Sequence, residues 1–296
     1  MSWNDIFYSS PDGLKLYVRH YPSENSERRP LVCLPGLTRN SKDFHELAEY
    51  LLAAPHSARD IYCLDLRGRG RSEYDPVAKN YSPFIELLDV LSFFTYRGLH
   101  DTAILGTSRG GLLAMLMGAM RPTALGAVIL NDIGPVIETQ GLLRIRSYVG
   151  RTPVPSSWDQ AADVLKRLNE AQFPNLTDED WQRFAKQWFA DQNGHPGRAY
   201  DPRLAKPLAA IDLTKVLPPL WPQFKSLGLL PVLCIRGENS DILSAETVAD
   251  MAVIHSQFES ITVAKEGHAP LLWDDISKEA IADFLMNADG NTGPSH

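Results

Sequence analysis

The sequence predicts an α/β domain in which helices cover both faces of a mainly parallel sheet. Two observations carry this prediction. Short apolar runs, typical of buried strands, alternate with longer segments of helical period along most of the 296 residues. The alternation stops at about residue 134 and resumes at residue 231, so a second structural unit is inserted into the domain.

The first part of the chain contains strands separated by helices. Pro83 near the start of one helix and Gly98 at its end fit the residue preferences of helix termini. Strands joined through helices run parallel, because each connection crosses over the sheet. The apolar runs predict strands at 14–21, 31–36, 61–68, 102–106 and 127–132, and helices at 43–53, 83–98 and directly after residue 108.

Residues 134–229 are predicted to be helical, without recognisable strands of the sheet. Helices are expected within 152–174 and 177–193, and Thr177 with Asp180 three residues later is typical of a helix start. One interpretation is a helical surface insertion. The other, which we favour, is a lid over a pocket, because long excursions from a compact sheet are often functional.

The alternation resumes after the insertion. It predicts strands at 231–239 and 260–264 and helices at 245–254 and 276–288. The predicted core therefore consists of residues 1–133 and 230–288, and the polar residues 289–296 are expected to form a frayed tail.

Composition and charge narrow the class of protein. The formal net charge of −7 gives no electrostatic reason to expect nucleic acid or an acidic membrane surface as a partner. Cys33, Cys63 and Cys234 each lie in an apolar run, which predicts buried, reduced thiols and no disulfide or zinc site. The N-terminal residues do not resemble a signal peptide, and no apolar stretch is long enough to span a bilayer. We expect a cytoplasmic protein that binds no membrane.

The segment "GTSRG", residues 106–110, is the strongest functional signal. It stands between a buried strand and an apolar helix, the context of the nucleophile elbow G-x-S-x-G. The sharp bend raises the central residue, Ser108, above the sheet edge, and glycines at 106 and 110 leave room for the turn. A simple helix N-cap flanked by turn glycines is the alternative.

A serine nucleophile needs a base, and the base needs an acid that orients it. In this architecture both follow the serine in the chain, after later strands. His268 and Asp241 have that placement and are predicted to complete the triad, whereas the other seven histidines have weaker placements. Asp132, at the end of the strand after the serine strand, is the alternative acid, and Glu238 is a weaker one.

Acyl transfer also needs donors for the developing oxyanion. We expect the backbone N–H groups of Leu37, in the loop after 31–36, and of Arg109, next to the nucleophile. Arg39, Asn40 and Trp273 are candidates to line the substrate pocket, although for Arg39 or Asn40 taken alone a solvated loop residue is the favoured interpretation.

Several motifs together resemble the α/β-hydrolase fold superfamily and cover nearly the whole chain. They are "LPGLTRNS" at 34–41, "DLRGRGRS" at 65–72, "GTSRGG" at 106–111, "GENSD" at 237–241 and "GHAP" at 267–270. The resemblance implies an eight-stranded, mostly parallel sheet with a helical cap inserted after strand 6, at 134–229. It also implies that 65–72 is a structural loop in which Asp65 and Arg67 pair.

The sequence departs from the superfamily pattern at two places. Pro35 precedes Gly36 where His-Gly is usual, and Arg109 follows the nucleophile where smaller or apolar residues are common. The Arg109 side chain either binds a substrate carboxylate or pairs with a nearby acidic residue.

The predicted function is a serine hydrolase acting on a small carboxylic ester or related acyl substrate through an acyl-enzyme. Trp158, Trp181, Trp188 and Trp221 are expected to supply apolar walls from the cap. No cofactor, metal or nucleotide is expected, and a homo-oligomer is left open. A carbon–carbon bond, enol-lactone or amide hydrolase with the same triad is the alternative, and a non-catalytic binding protein of this fold is the third hypothesis.

Overall fold

The computed structural model describes residues 2–24 and 27–290. Eight strands form one sheet in the order β1-β2-β4-β3-β5-β6-β9-β10, and β7 pairs with β8 in a separate hairpin. The strands of the described residues are β1 (Asn4–Ser9), β2 (Lys15–Tyr21), β3 (Leu31–Leu34), β4 (Ile61–Asp65), β5 (Thr102–Thr107), β6 (Leu125–Asn131), β7 (Ala190–Gln192), β8 (His195–Gly197), β9 (Val232–Gly237) and β10 (Phe258–Val263).

The prediction of a mostly parallel, eight-stranded sheet is confirmed. Strands β3 to β6, β9 and β10 pair in parallel, whereas β2 pairs antiparallel with β1 on one side and β4 on the other. Strand β1 was not predicted. The alternation of polar and apolar residues in β1 covers only a few positions. The strand is held at the edge of the sheet by antiparallel hydrogen bonds to β2, a contact that the local sequence does not show.

Helices flank the sheet on both faces, as the alternation predicts. They are α1 (His45–Ala53), α2 (Pro83–Arg97), α3 (Arg109–Met120), α4 (Thr139–Tyr148), α5 (Trp158–Asn169), α6 (Asp178–Trp188), α7 (Ala205–Ala209), α8 (Trp221–Lys225), α9 (Ala245–Ile254) and α10 (Asp275–Gly290). Ser82 caps α2 through its side chain, and Gly98 ends the helix with a φ of 65°.

The central strands are buried on both sides, so their residues divide between two apolar cores. Val32 and Leu34 of β3 pack with α2 and α3 on one face, and Leu31 and Cys33 pack with α1 and α10 on the other. This division explains why the strand sequences read as continuous apolar runs. The sheet is therefore a rigid support for whatever lies at its carboxyl edge.

The segment between β6 and β9 contains α4 to α8. Helices α5 and α6 share a small core of their own, in which Trp181 is almost fully buried. Thr177 and Asp180 form a reciprocal capping box at the start of α6, as the sequence predicts. The segment adds no strand to the eight-stranded sheet, as expected, but it contains the β7–β8 hairpin, which was not predicted. An Asn193-Gly194 pair, both with positive φ, closes it and was the overlooked signal.

The cysteines, the C-terminal residues and the lengths of the helices were also subjects of prediction. The three cysteines are free and buried. Helix α10 continues to Gly290, so Asp289 and Gly290 are helical rather than part of a tail, and the remaining predicted tail, 291–296, lies outside the described residues. Among the helices of the described chain, none combines the length and apolar character that crossing a bilayer requires.

Candidate active site

Ser108 stands at a tight turn between β5 and α3. Its φ of 50° and ψ of −107° lie outside the regions that L-residues favour. A Cβ atom added to Gly106 would lie 2.4 Å from the Gly110 carbonyl carbon, and one added to Gly110 would lie 2.1 Å from the Leu34 oxygen. Larger residues are excluded at both positions. The nucleophile elbow predicted from the sequence therefore has its expected geometry.

The Ser108 hydroxyl does not cap the helix that follows it. Its Oγ instead lies 2.9 Å from Nε2 of His268, which stands in the loop after β10. The N-cap interpretation of this serine is therefore wrong. Two residues that are 160 positions apart in the chain meet because β5 and β10 end at the same edge of the sheet.

The acid at the other side of the imidazole is Asp132. Its Oδ2 lies 2.8 Å from His268 Nδ1, and its side chain is fully buried. The same carboxylate accepts the Gly237 N–H at 2.8 Å and the Ser240 hydroxyl at 2.6 Å. Three donors thus surround one carboxylate and hold it toward the histidine.

The prediction that Asp241 contacts His268 is wrong. Asp241 accepts two hydrogen bonds from Arg144 of α4, at 2.6 and 2.8 Å. Ser240, one residue earlier, is held by Asp132, and the chain then turns toward the inserted helix. Glu238, the weaker alternative, accepts the Lys265 backbone N–H at an exposed position instead.

The two predicted oxyanion donors flank the serine. A Cβ placed on Gly36 would lie 3.9 Å from Ser108 Cβ, so the loop that carries Leu37 packs against Ser108. Within the described ranges, neither the Leu37 N–H nor the Arg109 N–H has a hydrogen-bond acceptor. Arg69 fixes the loop by donating to the Leu37 carbonyl at 2.7 Å. Both N–H groups are thus free to bind an oxyanion, and that role stays a prediction.

The Arg109 side chain takes the second of its two predicted alternatives. Its Nε lies 3.3 Å from Glu86, a fully buried carboxylate that also pairs with Arg69 at 2.7 Å. The guanidinium therefore balances a buried charge beneath the loops of the site.

A cavity opens above Ser108 and His268. The inserted segment supplies much of its wall, through Ile145, Tyr148, Asn169, Phe173, Phe184, Gln187 and Trp188. Of the four tryptophans expected in that wall, Trp188 lines the cavity. Arg39 lines it too, paired with Asp43 at 2.8 Å and stacked 4.5 Å from the Trp188 ring.

Asn40 and Trp273 do not line this cavity, contrary to expectation. The Asn40 side chain is buried and accepts the Lys42 N–H as a helix cap. The Trp273 ring packs edge-on against Phe184, under the Arg183 guanidinium. Asn40 therefore makes a helix-capping hydrogen bond and Trp273 an aromatic contact, and the position of neither residue in the sequence predicts that role.

Gln172, which the sequence did not single out, links the inserted segment to the histidine loop. Its Oε1 accepts the His268 backbone N–H at 2.9 Å, and its backbone oxygen accepts from the Asn239 amide at 3.1 Å. The residue lies in a short loop after α5, without a motif that could mark it. The position of the imidazole therefore depends on a residue of the insertion.

The "DLRGRGRS" loop is structural, as the resemblance implies, but its predicted pairing is wrong. Arg67 binds the carboxylates of Asp12, Asp75 and Asp89 rather than that of Asp65. Asp65 accepts two backbone N–H groups, each at 2.7 Å.

In the described part of the chain, no three His, Cys, Asp or Glu side chains are grouped as metal ligands would be.

Glu266 makes the loop that carries His268 sensitive to pH. Its carboxylate accepts the Leu271 N–H at 2.8 Å, and burial raises its pKa from 4.5 to about 7, with nearby Asp274 acting in the same direction. Between these values the folded chain holds a proton that the unfolded chain has lost. The free energy of unfolding should therefore fall as the pH rises from about 4.5 to 7.

The substitution Glu266→Gln keeps an acceptor for Leu271 and cannot ionise. We expect this variant to be more stable than the wild type by about 3 kcal/mol at high pH, with the difference vanishing near the ordinary pKa of a glutamate. Urea unfolding across this pH range measures the effect. Glu238→Gln is the matched control. Lys265 lowers the pKa of Glu238, so its loss should not stabilise the protein. A Glu266→Gln variant less stable than the wild type at high pH would contradict the prediction.

The fold is that of α/β hydrolases, and comparison with known proteins agrees. A model of the alpha/beta hydrolase family matches residues 31–283. The 3-hydroxybutyrate-oligomer hydrolase of Cupriavidus necator is 30% identical over 286 residues, covering 94% of this chain and 96% of that protein. The sn-1-specific diacylglycerol lipase ABHD11 of Mus musculus is 24% identical, covering 88% of each chain.

Solved structures give the same result. The crystal structure of an alpha/beta hydrolase from Novosphingobium aromaticivorans superposes with a TM-score of 0.88 at 37% identity, covering 96% of this chain and 98% of that one. The chain belongs to the alpha/beta hydrolase family. It is a hydrolase.

Proposed function

We propose that this protein is a serine hydrolase that cleaves small carboxylic esters through an acyl-enzyme, with Ser108, His268 and Asp132 as its triad. One observation carries the proposal: the hydrogen-bond chain from Ser108 Oγ to His268 to Asp132, with heavy-atom distances of 2.9 and 2.8 Å. Nucleophile, base and orienting acid lie within reach of one another, as general-base activation of a hydroxyl requires.

In the first step, Ser108 Oγ attacks the ester carbonyl while His268 Nε2 takes the hydroxyl proton. The Nδ1 proton of the resulting imidazolium faces the buried Asp132 carboxylate, which stabilises the cation. His268 then delivers its proton to the leaving alcohol. Water, deprotonated by the same imidazole, attacks the acyl-enzyme, releases the acid and restores Ser108.

The backbone N–H groups of Leu37 and Arg109 bind the oxyanion of both tetrahedral intermediates. Each is without an acceptor in the described chain, and the second stands at the N-terminus of α3, where the helix dipole favours negative charge. One such donor is typically worth about 10²–10³ in rate. Fixed dipoles of this kind need no reorganisation as the charge develops.

Residues 134–229 act as the cap of this enzyme. Aromatic and aliphatic side chains from α4, from α6 and from the loop after α5 form part of the cavity wall, together with Asn169 of α5. Such a wall excludes bulk water and strengthens the electrostatic interactions within the site. Gln172 couples the cap to the histidine, so cap and triad form one unit.

The ester class is supported by the cavity and by the relatives. The cavity wall is mostly apolar, which suits a short acyl chain. The relative with 30% identity is named for the hydrolysis of 3-hydroxybutyrate oligomers, whose links join hydroxy acids of four carbons. A short acyl ester is therefore the substrate we propose.

A fluorophosphonate probe tests the proposal, because it reacts with an activated serine. We expect stoichiometric labelling of the folded protein and a phosphonylated peptide containing Ser108 by mass spectrometry. Heat-denatured protein is the control and should stay unlabelled, since its serine has lost His268. Labelling at another residue, or no labelling of folded protein that also fails to hydrolyse p-nitrophenyl butyrate, would refute the triad.

A further inference from the structure

We propose that Asn169 forms a subsite for a hydroxyl group on the acyl chain of the substrate, and so selects hydroxyacyl esters over plain acyl esters. The inference rests on the proposed function, because it concerns the acyl pocket of that same site. It names a binding contact made by the inserted segment, away from the reacting atoms.

The Asn169 amide has one oxygen without a donor. Asn169 ends α5 and lines the cavity that Ser108 and His268 also line. Its Nδ2 donates to the Leu165 carbonyl at 2.9 Å. A carbonyl oxygen only accepts, so this bond fixes the orientation of the amide. Oδ1 is the acceptor left for a ligand, and within residues 2–24 and 27–290 no group donates to it.

A free Oδ1 limits which ligand groups can lie against it. Asn169 is 5% exposed, so a ligand in the cavity would remove the remaining solvent contact of this oxygen. An acceptor that is covered in this way and left unpaired weakens binding. A ligand avoids that loss only if it brings a donor. A ketone or an ionised carboxylate brings acceptors alone and leaves Oδ1 unpaired, whereas a hydroxyl brings an O–H.

A second amide, that of Gln187, lines the same cavity. Gln187 of α6 is 9% exposed and has no side-chain partner within the described ranges. Its amide can donate as well as accept. A hydroxyl does both too, so it matches a wall that carries one fixed acceptor and one adaptable amide. The other cavity residues from the insertion are apolar, apart from the hydroxyl of Tyr148.

Matched esters test the proposal on the wild-type enzyme. The probes are p-nitrophenyl butyrate, its 2-hydroxy and 3-hydroxy derivatives, and the methyl ether of the better one, each rate being divided by the rate of alkaline hydrolysis. We expect kcat/KM for one hydroxy ester to exceed that for butyrate by about tenfold, as one hydrogen bond to a buried group allows. The methyl ether, which lacks a donor, should lose this advantage.

The substitution Asn169→Leu keeps the side-chain size and removes Oδ1. We expect the ratio of hydroxyacyl to acyl kcat/KM to fall from about ten to about one. Asn175→Leu is the matched control, the same change at an exposed position of the same segment, and should keep the wild-type ratio. If Asn169→Leu does not fold, the difference in kcat/KM between the hydroxy ester and its methyl ether on the wild-type enzyme tests the subsite instead.

The outcomes separate this inference from the proposed function. Hydrolysis of all esters without preference for a hydroxyl, or an unchanged ratio in Asn169→Leu, would overturn the subsite and leave the serine mechanism intact. An equal preference for the hydroxyl and its methyl ether would also overturn it. Loss of all ester hydrolysis together with unlabelled Ser108 would instead refute the serine mechanism on which the subsite rests.

Discussion

Asp132→Asn will lower kcat for p-nitrophenyl butyrate by about 10⁴-fold, whereas Asp241→Asn will stay within about threefold of the wild type. The contrast follows from the contacts of the two carboxylates. Asp132 bonds to His268, and Asp241 bonds to Arg144, which lies on the first inserted helix.

The size of the first effect has a specific cause. All three neighbours of the Asp132 carboxylate can donate: the His268 ring, the Gly237 N–H and the Ser240 hydroxyl. An asparagine amide carries one acceptor and one donor group. Its NH₂ must therefore face a donor, or the imidazole must change tautomer and lose the lone pair that should accept the serine proton. The amide also cannot stabilise an imidazolium as a carboxylate does.

The Asp241→Asn variant is the matched control, because it makes the same chemical change in the same group of loops. Its amide oxygen can still accept from Arg144. Thermal unfolding of both variants separates lost catalysis from lost folding. A greater loss of kcat at Asp241 than at Asp132 would reverse the assignment of the acid and would mean that the histidine loop rearranges during turnover.

The fold could be predicted because its determinants are local. Each central strand is a continuous apolar run, and each helix carries its own start and stop signals, as Ser82 and Gly98 show for α2. The elbow was predictable for the same reason. Its two glycines stand within four residues of each other, and their close approach to neighbouring backbone leaves no alternative residue.

The acid was not predictable, because the choice depends on contacts between distant parts of the chain. Strands β6 and β9 are neighbours, so Asp132 and the loop 237–241 end at the same sheet edge. Both aspartates satisfy the rule that the acid follows a later strand. The hydrogen bonds from Gly237 and Ser240, more than 100 residues away, decide which of them faces the imidazole.

The cavity wall was the least predictable part of the site. Asn40 lies in the loop after β3 and was a candidate to line the pocket, but it caps a short helix. Gln172 and Asn169 lie in the insertion, where helical period shows which residues are buried and does not show what they are buried against. Contacts of that kind depend on how the inserted helices pack over the sheet.

Ser108→Ala and His268→Ala will each lower kcat by about 10⁶-fold, and the double variant will be no worse than either single variant. The serine is inactive without a base, and the base has no proton to take without the serine. The 2.9 Å bond between them makes the two side chains one functional unit. Removing either one removes the same contribution to transition-state stabilisation.

The residual activity of these variants has its own origin. The backbone N–H groups of Leu37 and Arg109 do not depend on the two side chains and should continue to bind an oxyanion formed by direct attack of water. All three variants should therefore keep about 10³-fold catalysis over the uncatalysed reaction. Measurement requires protein expressed and purified apart from the wild type, since a trace of it would mask the loss. Multiplicative losses in the double variant would mean that Ser108 and His268 act on separate steps, and the acyl-enzyme mechanism would then have to be abandoned.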